Sequence, residues 1–399
     1  MAEPSIDPTG RWDTACWAFT ALFCVADFIS ISVAQMAATG MGVCFLGRWI
    51  NTGQRPNLPP VLWPVALFVG VSIVAALFSL DAMESIVDSK DLLHLFILFA
   101  VYDYFVRRPG KAVLALKIMA GAGGAVSVYG LAQAMGRGVD IYNRISGFQD
   151  IYMTFAGLLM MAVMAGGAVI LFHRGGLKDG WIAMAVAIMI SAVFVSLTRN
   201  AVVGLFAGAV ALLALKNRWT VAALPVVALV ALTLSPSHVR DRVVSIADMS
   251  NETNRERFNL WAAGLEIIRD NPVLGVGQNS FPLVYPAYRR PDVKEPNISH
   301  LHNNFIQIGA ERGLAGLGAW ISVWAVALWK MGSAFRMTSD TGMKTSLAAG
   351  GAGVLAFLSA GMFEYNFGDA EIQMLFYLFM AMGLAAAKPA EDAIKGPTG

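Results

Sequence analysis

Apolar segments, each close to the length of a membrane span, recur along almost the whole of this chain. A helix needs about 20 mainly apolar residues to cross a bilayer. The segments lie near residues 14–29, 31–47, 61–80, 91–106, 112–134, 151–172, 180–197, 200–216, 219–235, 314–330, 345–365 and 370–387. Charged residues make up only 14% of the chain, whereas a typical soluble domain has about 25%. The sequence therefore predicts an all-α polytopic membrane protein with about twelve transmembrane helices, and it excludes a soluble fold.

Basic residues are unevenly distributed among the connections that join these segments. Short loops on the cytoplasmic side of a membrane protein carry the excess of lysine and arginine. If the N-terminus is cytoplasmic, the short outer connections carry only Lys90, Arg137, Arg144 and Arg199, and the cytoplasmic connections carry several times as many. We therefore expect both termini to lie in the cytoplasm.

This topology divides the chain into three parts. Residues 1–235 form spans one to nine, residues 236–303 form an outer loop that carries the functional elements, and residues 304–399 form spans ten to twelve with a cytoplasmic tail. The outer loop is long for a connection between two spans, and long connections are often functional. We therefore expect the chemistry of the protein in this loop.

One stretch of the outer loop, NETNRERFNLWAAGLEIIRDNP, has the pattern of an amphipathic helix. Asn254 is the expected N-cap, and Asn271-Pro272 ends the helix. The predicted apolar stripe consists of Phe258, Trp261, Leu265 and Ile268. Arg257 lies one turn before Trp261 on the same face. Its side chain is therefore expected to point inward, which indicates more than a solubilising role.

Two histidines and one arginine stand at membrane boundaries. Arg199 occupies the shortest break between two spans, in SLTRNAVVG. It is either an ordinary loop cation or an anion clamp, because the guanidinium binds phosphate with two parallel hydrogen bonds. His300 and His302 stand where the outer loop enters the next helix. They are either satisfied interfacial side chains or proton-exchanging groups.

No metal site is predicted from these histidines. Their spacing of two residues would splay them apart on a helix, and no H-E-x-x-H motif or neighbouring carboxylate set accompanies them. The three cysteines lie in apolar segments near the N-terminus, so they predict neither a disulfide framework nor a thiolate metal site.

Two further features of the outer loop have alternative interpretations. Gly275 and Gly277 in PVLGVGQNSF are interpreted as a plain turn. Arg289 and Arg290, which follow Tyr288, either contact a sugar or a phosphate or belong to a solvated loop.

Three stretches within residues 195–320 resemble the O-antigen ligases and the related O-antigen polymerases. They are SLTRNAVVG, RFNLWAAGLEIIRDNPVLGVGQNSF and HNNFIQIGAERGLAG. The resemblance implies a glycosyltransferase of the bacterial inner membrane that works on the periplasmic side without a metal, a cofactor or a nucleotide sugar. Its donor would be a glycan on undecaprenyl pyrophosphate. A ligase transfers that glycan to lipid A–core, and a polymerase transfers it to another lipid-linked repeat.

By the motifs of that family, Arg199 and Arg257 would hold the pyrophosphate and His302 would be the catalytic residue. His302 would take the proton of an acceptor hydroxyl, which attacks the anomeric carbon with inversion. Two assignments stay open, because His300 competes with His302 and Arg255 competes with Arg257.

Two further side chains have alternative interpretations beside this assignment. Glu364 either orients a substrate or is a helix-end carboxylate. Arg144, in NRISGF, is a further candidate for donor contact.

Other functions remain as alternatives. We favour a ligase over a polymerase of the same family, and a third type of member transfers glycans to protein hydroxyls. A transporter is the alternative from another class, since Asp27, His94 and Asp103 lie in or beside spans. No feature indicates nucleic-acid binding.

Overall fold

The computed structural model describes residues 8–140, 142–173, 175–226, 237–246, 252–290 and 298–395, together with residues 229, 233 and 248. Its α-helices are α1 (Pro8–Ala26), α2 (Ile31–Thr52), α3 (Leu62–Leu77), α4 (Ala82–Asp88), α5 (Leu95–Arg107), α6 (Gly110–Arg137), α7 (Tyr152–Phe172), α8 (Gly180–Val195), α9 (Arg199–Lys216), α10 (Ser237–Val244), α11 (Glu252–Asp270), α12 (Phe281–Tyr288), α13 (Asn304–Met337), α14 (Thr341–Ala360) and α15 (Ala370–Lys395). Short 3₁₀ helices span Ser89–His94, Gly176–Asp179, Arg218–Ala223 and Asn366–Gly368. No strand occurs in this described part.

The predicted apolar segments coincide with helices, with one exception. Segment 219–235 overlaps the 3₁₀ helix Arg218–Ala223, and much of the remainder lies outside the described residues. Among the described helices, six are long and apolar enough to cross a membrane, namely α6, α7, α9, α13, α14 and α15. Helices α3 and α8 are equally apolar in character but shorter. The chain is therefore an all-α membrane protein.

The centre of the bundle is formed by α7, α14 and α15, whose apolar side chains are almost all buried. Helix α9 packs closely on α7 and α14 through two glycines. A Cβ atom on Gly204 would lie 2.6 Å from the carbonyl oxygen of Ala356, and one on Gly208 would lie 2.2 Å from the Met164 sulfur. Small residues of this kind let membrane helices approach closely. This packing fixes the position of Arg199, the first residue of α9.

Helix α11 lies against α13 and α12 at one end of the bundle. Its buried face consists of Leu260, Ala263, Gly264 and Ile267. The predicted stripe is therefore wrong in part, because Phe258 is 41% exposed and Leu265 is 57% exposed. Gly264 explains the shift of this face, since a Cβ atom there would come within 2.5 Å of Ile306. The smallest side chains of α11 thus face its neighbour.

The predicted N-cap at Asn254 is also wrong. The helix begins at Glu252, two residues earlier, and Asn254 lies inside the first turn. Its side-chain amide donates to the carbonyl oxygens of Ser245, at 3.0 Å, and Asp248, at 2.8 Å. Asn254 therefore ties the connection between α10 and α11 instead of capping α11.

The two glycines of the G-x-G stretch do more than form a turn. Helix α13 is interrupted at Gly313, where φ is 65°. The amide groups of Val276 and Gly277 donate, each at 2.9 Å, to the carbonyls of Ala310 and Glu311 just before this break. Gly275 has a φ of 69°, and a Cβ atom on it would lie 2.4 Å from the Ala310 carbonyl oxygen. The loop thus docks backbone to backbone on α13, which requires glycine.

Candidate active site

A polar cavity of about 350 Å³ lies at the end of the bundle that carries α10 to α12. We call it the arginine cavity, because its walls include four arginines from four different elements. Its lining includes the charged residues Arg144, Arg199, Arg242, Arg257, Glu256 and Glu364, together with His302. The structure thus brings Arg199, Arg257 and His302 together, although long stretches of sequence separate them.

His302 projects from a tight loop just before α13. Its φ of 49° lies in the left-handed region, which is uncommon for a residue other than glycine. Asn303 holds the loop, because its side-chain oxygen accepts hydrogen bonds from the amides of Phe305, at 2.9 Å, and Ile306, at 3.0 Å. Its side-chain amide donates to the carbonyl of Met362 at 2.9 Å. Asn303 is therefore both the N-cap of α13 and a tie to the turn between α14 and α15.

The second asparagine of this H-N-N sequence makes further ties to the same turn. The backbone amide of Asn304 donates to the Gly361 carbonyl at 2.7 Å. The side-chain oxygen of Asn304 accepts a hydrogen bond from the backbone amide of Phe367 at 3.0 Å. The side-chain oxygen of Gln307 accepts from the Leu301 amide at 2.7 Å. These bonds hold the left-handed conformation at His302 in place, as expected where strain serves a site.

Glu364, in the turn between α14 and α15, connects the histidine loop to α11. Its Oε1 lies 2.8 Å from His302 Nδ1 and also accepts from the Tyr365 amide at 3.1 Å. Its Oε2 lies 3.7 Å from Arg257 Nη2. Burial alone would raise the pKa of Glu364, but the hydrogen bond from His302 and the charges of the neighbouring histidines and Arg257 lower it below the ordinary value. Glu364 is therefore ionised at neutral pH.

An ionised Glu364 determines which nitrogen of His302 is free to act as a base. A carboxylate only accepts hydrogen bonds, so Nδ1 of His302 must carry the hydrogen in this contact. The lone pair of the neutral ring is then on Nε2, and His302 lines the arginine cavity. When the ring takes a proton, the buried carboxylate stabilises the imidazolium. The pair has the geometry of a general base with an orienting carboxylate.

The R-x3-W spacing on α11 places two functional contacts one helical turn apart. Arg257 reaches Glu364, and the indole nitrogen of Trp261 donates to the carbonyl of Leu301 at 3.1 Å. Arg257 has a side chain only 16% exposed, whereas its sequence competitor Arg255 is exposed. Helix α11 thus holds both the histidine loop and its carboxylate partner.

Replacing Trp261 with Phe should slow turnover about fivefold while donor KM changes little. The ring packing is kept, but the hydrogen bond to the loop of His302 is lost, and such a bond contributes about 1 kcal/mol. Steady-state kinetics on the purified variant measure both constants. Leu265→Ala, which removes an exposed side chain on the same helix that lines neither cavity, is the control and should leave kcat unchanged.

The break between α8 and α9 shapes the opposite wall of the cavity. Arg199 Nη1 donates to the Ser245 carbonyl at 3.2 Å, and its Nη2 is buried without a hydrogen-bond partner among the described residues. Arg242, on α10, donates from Nε to the Leu197 carbonyl at 3.2 Å. Leu197 itself has a φ of 55°. The unpartnered Nη2 indicates that Arg199 is arranged for a ligand.

The electrostatics of the arginine cavity favour an anion. Four arginines line it against two glutamates, and the Arg144 guanidinium lies 4.3 Å over the ring of Tyr152. Burial and the charge of Arg144 lower the pKa of Arg242, and burial lowers the pKa of Arg257 against the opposing effect of Glu364. Like charges that are held together and partly desolvated are stabilised by a multiply charged anion.

His300 differs from His302 in its surroundings. The two ring centroids lie 4.3 Å apart, and His300 Nδ1 lies 3.4 Å from the His302 amide nitrogen and 3.7 Å from Glu364 Oε1. Burial, then the proximity of His302 and Arg257, lowers the pKa of His300 to about 4, although Glu364 opposes this shift. His300 is therefore neutral at pH 7.

This depressed pKa makes stability depend on pH in a definite window. An unfolded histidine has a pKa of about 6.5, so the unfolded chain binds the proton more readily than the folded one. The contribution of His300 to the free energy of unfolding is fully present above about pH 6.5 and is lost as the pH falls towards about 4. We expect the melting temperature of the detergent-solubilised protein to fall over this interval. The fall should be smaller for His300→Gln, and an equal fall in both proteins would contradict the shift.

His300, His302 and Glu364 also have the ligand types of a metal site. Their ligand atoms all lie within 4.8 Å of one another. One premise of the sequence analysis is therefore wrong: the two histidines are in a loop and not splayed on a helix, and a carboxylate does lie near them. The hydrogen bond between His302 and Glu364, and the adjacent Arg257, favour the hydrogen-bonded form over a bound cation.

Two predicted residues are not brought to the arginine cavity. Arg289 and Arg290 follow α12, and Arg290 pairs with Glu266 at 2.8 Å on the exposed side of α11. Conversely, Arg242 was missed. Sequence offers no signal that separates it from Arg240 on the same short helix, and only the packing of α10 against α9 selects it.

A more apolar cavity of about 320 Å³ adjoins the arginine cavity. It shares Arg199, Asn200 and Arg257 with it. Its remaining walls are largely apolar, with Val203, Ile246, Phe258, Trp261, Met362 and Phe363 among them. The arginine cavity therefore continues into space suited to a hydrocarbon chain.

Comparison with known families identifies this region. Residues 184–321 match the family model described as O-antigen ligase. The matched part includes Arg199, Arg242, Arg257 and both histidines, whereas Arg144 and Glu364 lie outside it. No curated protein sequence matches the chain. The family match confirms, over residues 184–321, the resemblance to the O-antigen ligase family seen in the sequence.

Proposed function

We propose that this protein is an O-antigen ligase, which moves a glycan from undecaprenyl pyrophosphate to lipid A–core in lipopolysaccharide biosynthesis. The observation that carries the proposal is the pairing of His302 with buried Glu364 at the edge of a cavity lined by four arginines. A base with a fixed tautomer beside an anion site is what a transfer from a pyrophosphate donor requires.

In the proposed reaction, His302 Nε2 takes the proton from an acceptor hydroxyl. The hydroxyl oxygen attacks the anomeric carbon from the face opposite the pyrophosphate, so the configuration inverts. Arg199 and Arg257 hold the pyrophosphate and neutralise the charge that grows on it as the bond breaks. Fixed charges in a site of low water content stabilise such a transition state strongly. His300, Arg144 and Arg242 would complete the site.

The adjoining apolar cavity supports a lipid-linked donor. The polyprenyl chain would begin beside Arg199 and Arg257 and run past Phe258 and Trp261. The walls of this cavity come from α9, from α11 and from the turn between α14 and α15. A soluble nucleotide sugar would need no such space.

The proposed topology has twelve spans, both termini in the cytoplasm, and residues 236–303 as a periplasmic loop. The distribution of basic residues supports this orientation. It puts the arginine cavity on the periplasmic face of the inner membrane, where lipid-linked glycans are presented after they have crossed the membrane.

Asp103 and His94, two of the three residues that suggested a transporter, make contacts within the bundle. Asp103 accepts from the Asn57 amide at 2.8 Å and pairs with Arg107 at 3.0 Å. His94 Nδ1 lies 2.7 Å from the side-chain oxygen of Gln373. These contacts satisfy both side chains within the bundle, which supports the enzyme over a transporter.

Reconstitution of the purified protein tests the proposal. An undecaprenyl-pyrophosphate-linked glycan is supplied with and without lipid A–core, in the presence of EDTA, and products are separated on a gel. We expect transfer only when lipid A–core is present. A ladder of longer lipid-linked glycans without that acceptor would identify a polymerase instead. Loss of activity in EDTA, restored by a divalent cation, would contradict the metal-independent reaction.

A further inference from the structure

A second polar cavity, of about 200 Å³, lies on the other side of His300. We call it the Asp88 cavity. Its charged and ring-bearing lining residues are Asp88, Asp91, Glu311, Arg312, His300 and Tyr365. His302 lines the arginine cavity and His300 lines the Asp88 cavity. The two rings, 4.3 Å apart and both near Glu364, therefore form the wall between the two cavities.

The two cavities differ in charge. Three carboxylates and one arginine line the Asp88 cavity, whereas four arginines and two carboxylates line the arginine cavity. Burial and the neighbouring Asp91 raise the pKa of Asp88, and Arg312 opposes this shift. A pyrophosphate would be disfavoured in such surroundings, since like charges repel in a site with little water. The Asp88 cavity is thus suited to a neutral ligand.

The walls of the Asp88 cavity offer both donors and acceptors to such a ligand. The side-chain carboxylates of Asp88 and Asp91 make no hydrogen bond within the described part of the chain, and buried Arg312 has an Nε without a partner there. The ring of Tyr365 lies beside His300, with centroids 5.9 Å apart. Carboxylates, a guanidinium and an aromatic face together match the hydroxyls and the apolar face of a sugar ring.

A groove of about 630 Å³ between α2 and α5 adjoins this cavity, because Asp91 lines both. Its walls are mostly apolar and open towards the outside of the bundle, where Val43 is 56% exposed and Leu93 is 69% exposed. An exposed apolar surface of this kind on a membrane protein is suited to contact with lipid. The exposed Lys90 stands at the same end as Asp91 and offers a cation to an anionic group.

We propose that the acceptor is a lipid-anchored glycan whose terminal sugar occupies the Asp88 cavity while its hydrocarbon chain lies in the groove between α2 and α5. The proposal rests on the proposed function. It adds that donor and acceptor reach the histidine pair from opposite sides. The continuity through Asp91 and the exposed apolar walls of the groove favour a lipid-anchored acceptor over a soluble or protein acceptor.

The step balances with these two substrates alone. The acceptor oxygen forms a bond to the anomeric carbon of the donor sugar, and the bond from that carbon to the pyrophosphate oxygen breaks. The electron pair leaves with the pyrophosphate, and the hydroxyl proton goes to His302. No oxidant, reductant or further reactant is needed.

The sugar half of the proposal is tested with Asp88→Asn. The amide keeps the shape of the side chain but loses the charged acceptor, so the KM for lipid A–core should rise about tenfold or more, while the KM for the lipid-linked donor stays unchanged. Asp270→Asn is the matched control, because Asp270 is an exposed carboxylate at the far end of α11. Melting temperatures equal to wild type establish that both variants are folded.

The lipid half is tested with Thr39→Trp, which fills the groove from the exposed face of α2. Met36→Trp adds the same ring on the same helix but outside the groove, where Met36 is 72% exposed. The two acceptors are lipid A–core and the core oligosaccharide freed of its lipid. Thr39→Trp should raise the KM for lipid A–core several-fold and leave that for the free oligosaccharide unchanged. Met36→Trp should change neither.

The outcomes separate this proposal from the function on which it rests. If the wild type elongates lipid-linked glycan and not lipid A–core, the same variants are assayed with that acceptor, and the same KM shifts are expected. Transfer with an unchanged acceptor KM in both Asp88→Asn and Thr39→Trp would overturn the acceptor proposal alone. If the folded wild type transfers glycan to neither acceptor, the proposed function fails, and the acceptor proposal fails with it.

Discussion

Replacement of His302 with Ala should lower kcat for glycan transfer about 10²- to 10⁴-fold, the usual contribution of a positioned base. The donor should still bind, because the four arginines of the cavity remain. Donor KM is therefore expected to stay within a few-fold of wild type. A radiolabelled or fluorescent lipid-linked donor with saturating acceptor gives both constants on the reconstituted protein.

The neighbouring residues supply the controls for this result. His300→Ala should reduce kcat far less, since His300 lines the other cavity and is not the partner of the short contact to Glu364. The kcat of Glu364→Gln should lie between those of His302→Ala and His300→Ala. The amide oxygen still accepts the hydrogen bond from His302, but it no longer stabilises the protonated ring. A His302→Ala enzyme with more than half of the wild-type kcat would show that His302 is not the base.

Truncation of either arginine that faces His302 is expected to have the second largest effect. Arg199→Ala and Arg257→Ala should each lower kcat/KM for the donor about 10- to 100-fold, which is the loss of one charge-assisted contact to phosphate. Arg257→Ala should also lower kcat more than Arg199→Ala, because it removes the cation 3.7 Å from Glu364. Arg257→Lys should restore only part of the activity, since an ammonium cannot form two parallel bonds.

Arg290→Ala is the matched control for these variants. Arg290 lies in the same outer part of the chain, but it pairs with Glu266 on the exposed side of α11, and nearly half of its side chain is exposed. Donor kinetics should therefore be unchanged in Arg290→Ala. If the loss of Arg290 impaired the donor step as much as the loss of Arg257, the pyrophosphate would not be held in the arginine cavity.

The long helices of the bundle could be predicted from hydropathy, because α6, α7, α9, α13, α14 and α15 each contain an apolar run of nearly span length. The buried face of α11 could not be predicted in the same way. The predicted stripe of large residues is partly exposed, and Gly264 faces α13 instead. Periodicity reports which face is apolar, but at the surface of a membrane protein an apolar face also suits lipid. Close packing through glycine is a tertiary effect that the pattern does not contain.

The site could be predicted only where a motif carried it. Arg199, Arg257 and His302 each stand in a recognisable stretch, and the structure brings them together around one cavity. The role of Glu364 depends on the turn at 361–369 folding back onto the histidine loop, which Asn303 and Asn304 enforce. The position of Arg242 in the cavity wall depends on how α10 packs against α9. Neither arrangement is local in sequence, so neither residue could be assigned a contact in advance.

A cryo-EM structure of the His302→Ala protein in nanodiscs with an undecaprenyl-pyrophosphate-linked glycan is the most direct measurement. The inactive variant keeps the donor intact, and the arginines that are expected to bind it are unchanged. We expect pyrophosphate density between Arg199 and Arg257, with the polyprenyl chain running past Trp261 and the first sugar beside position 302. Density for the pyrophosphate at any other place, with the arginine cavity empty, would contradict a transfer reaction at this site.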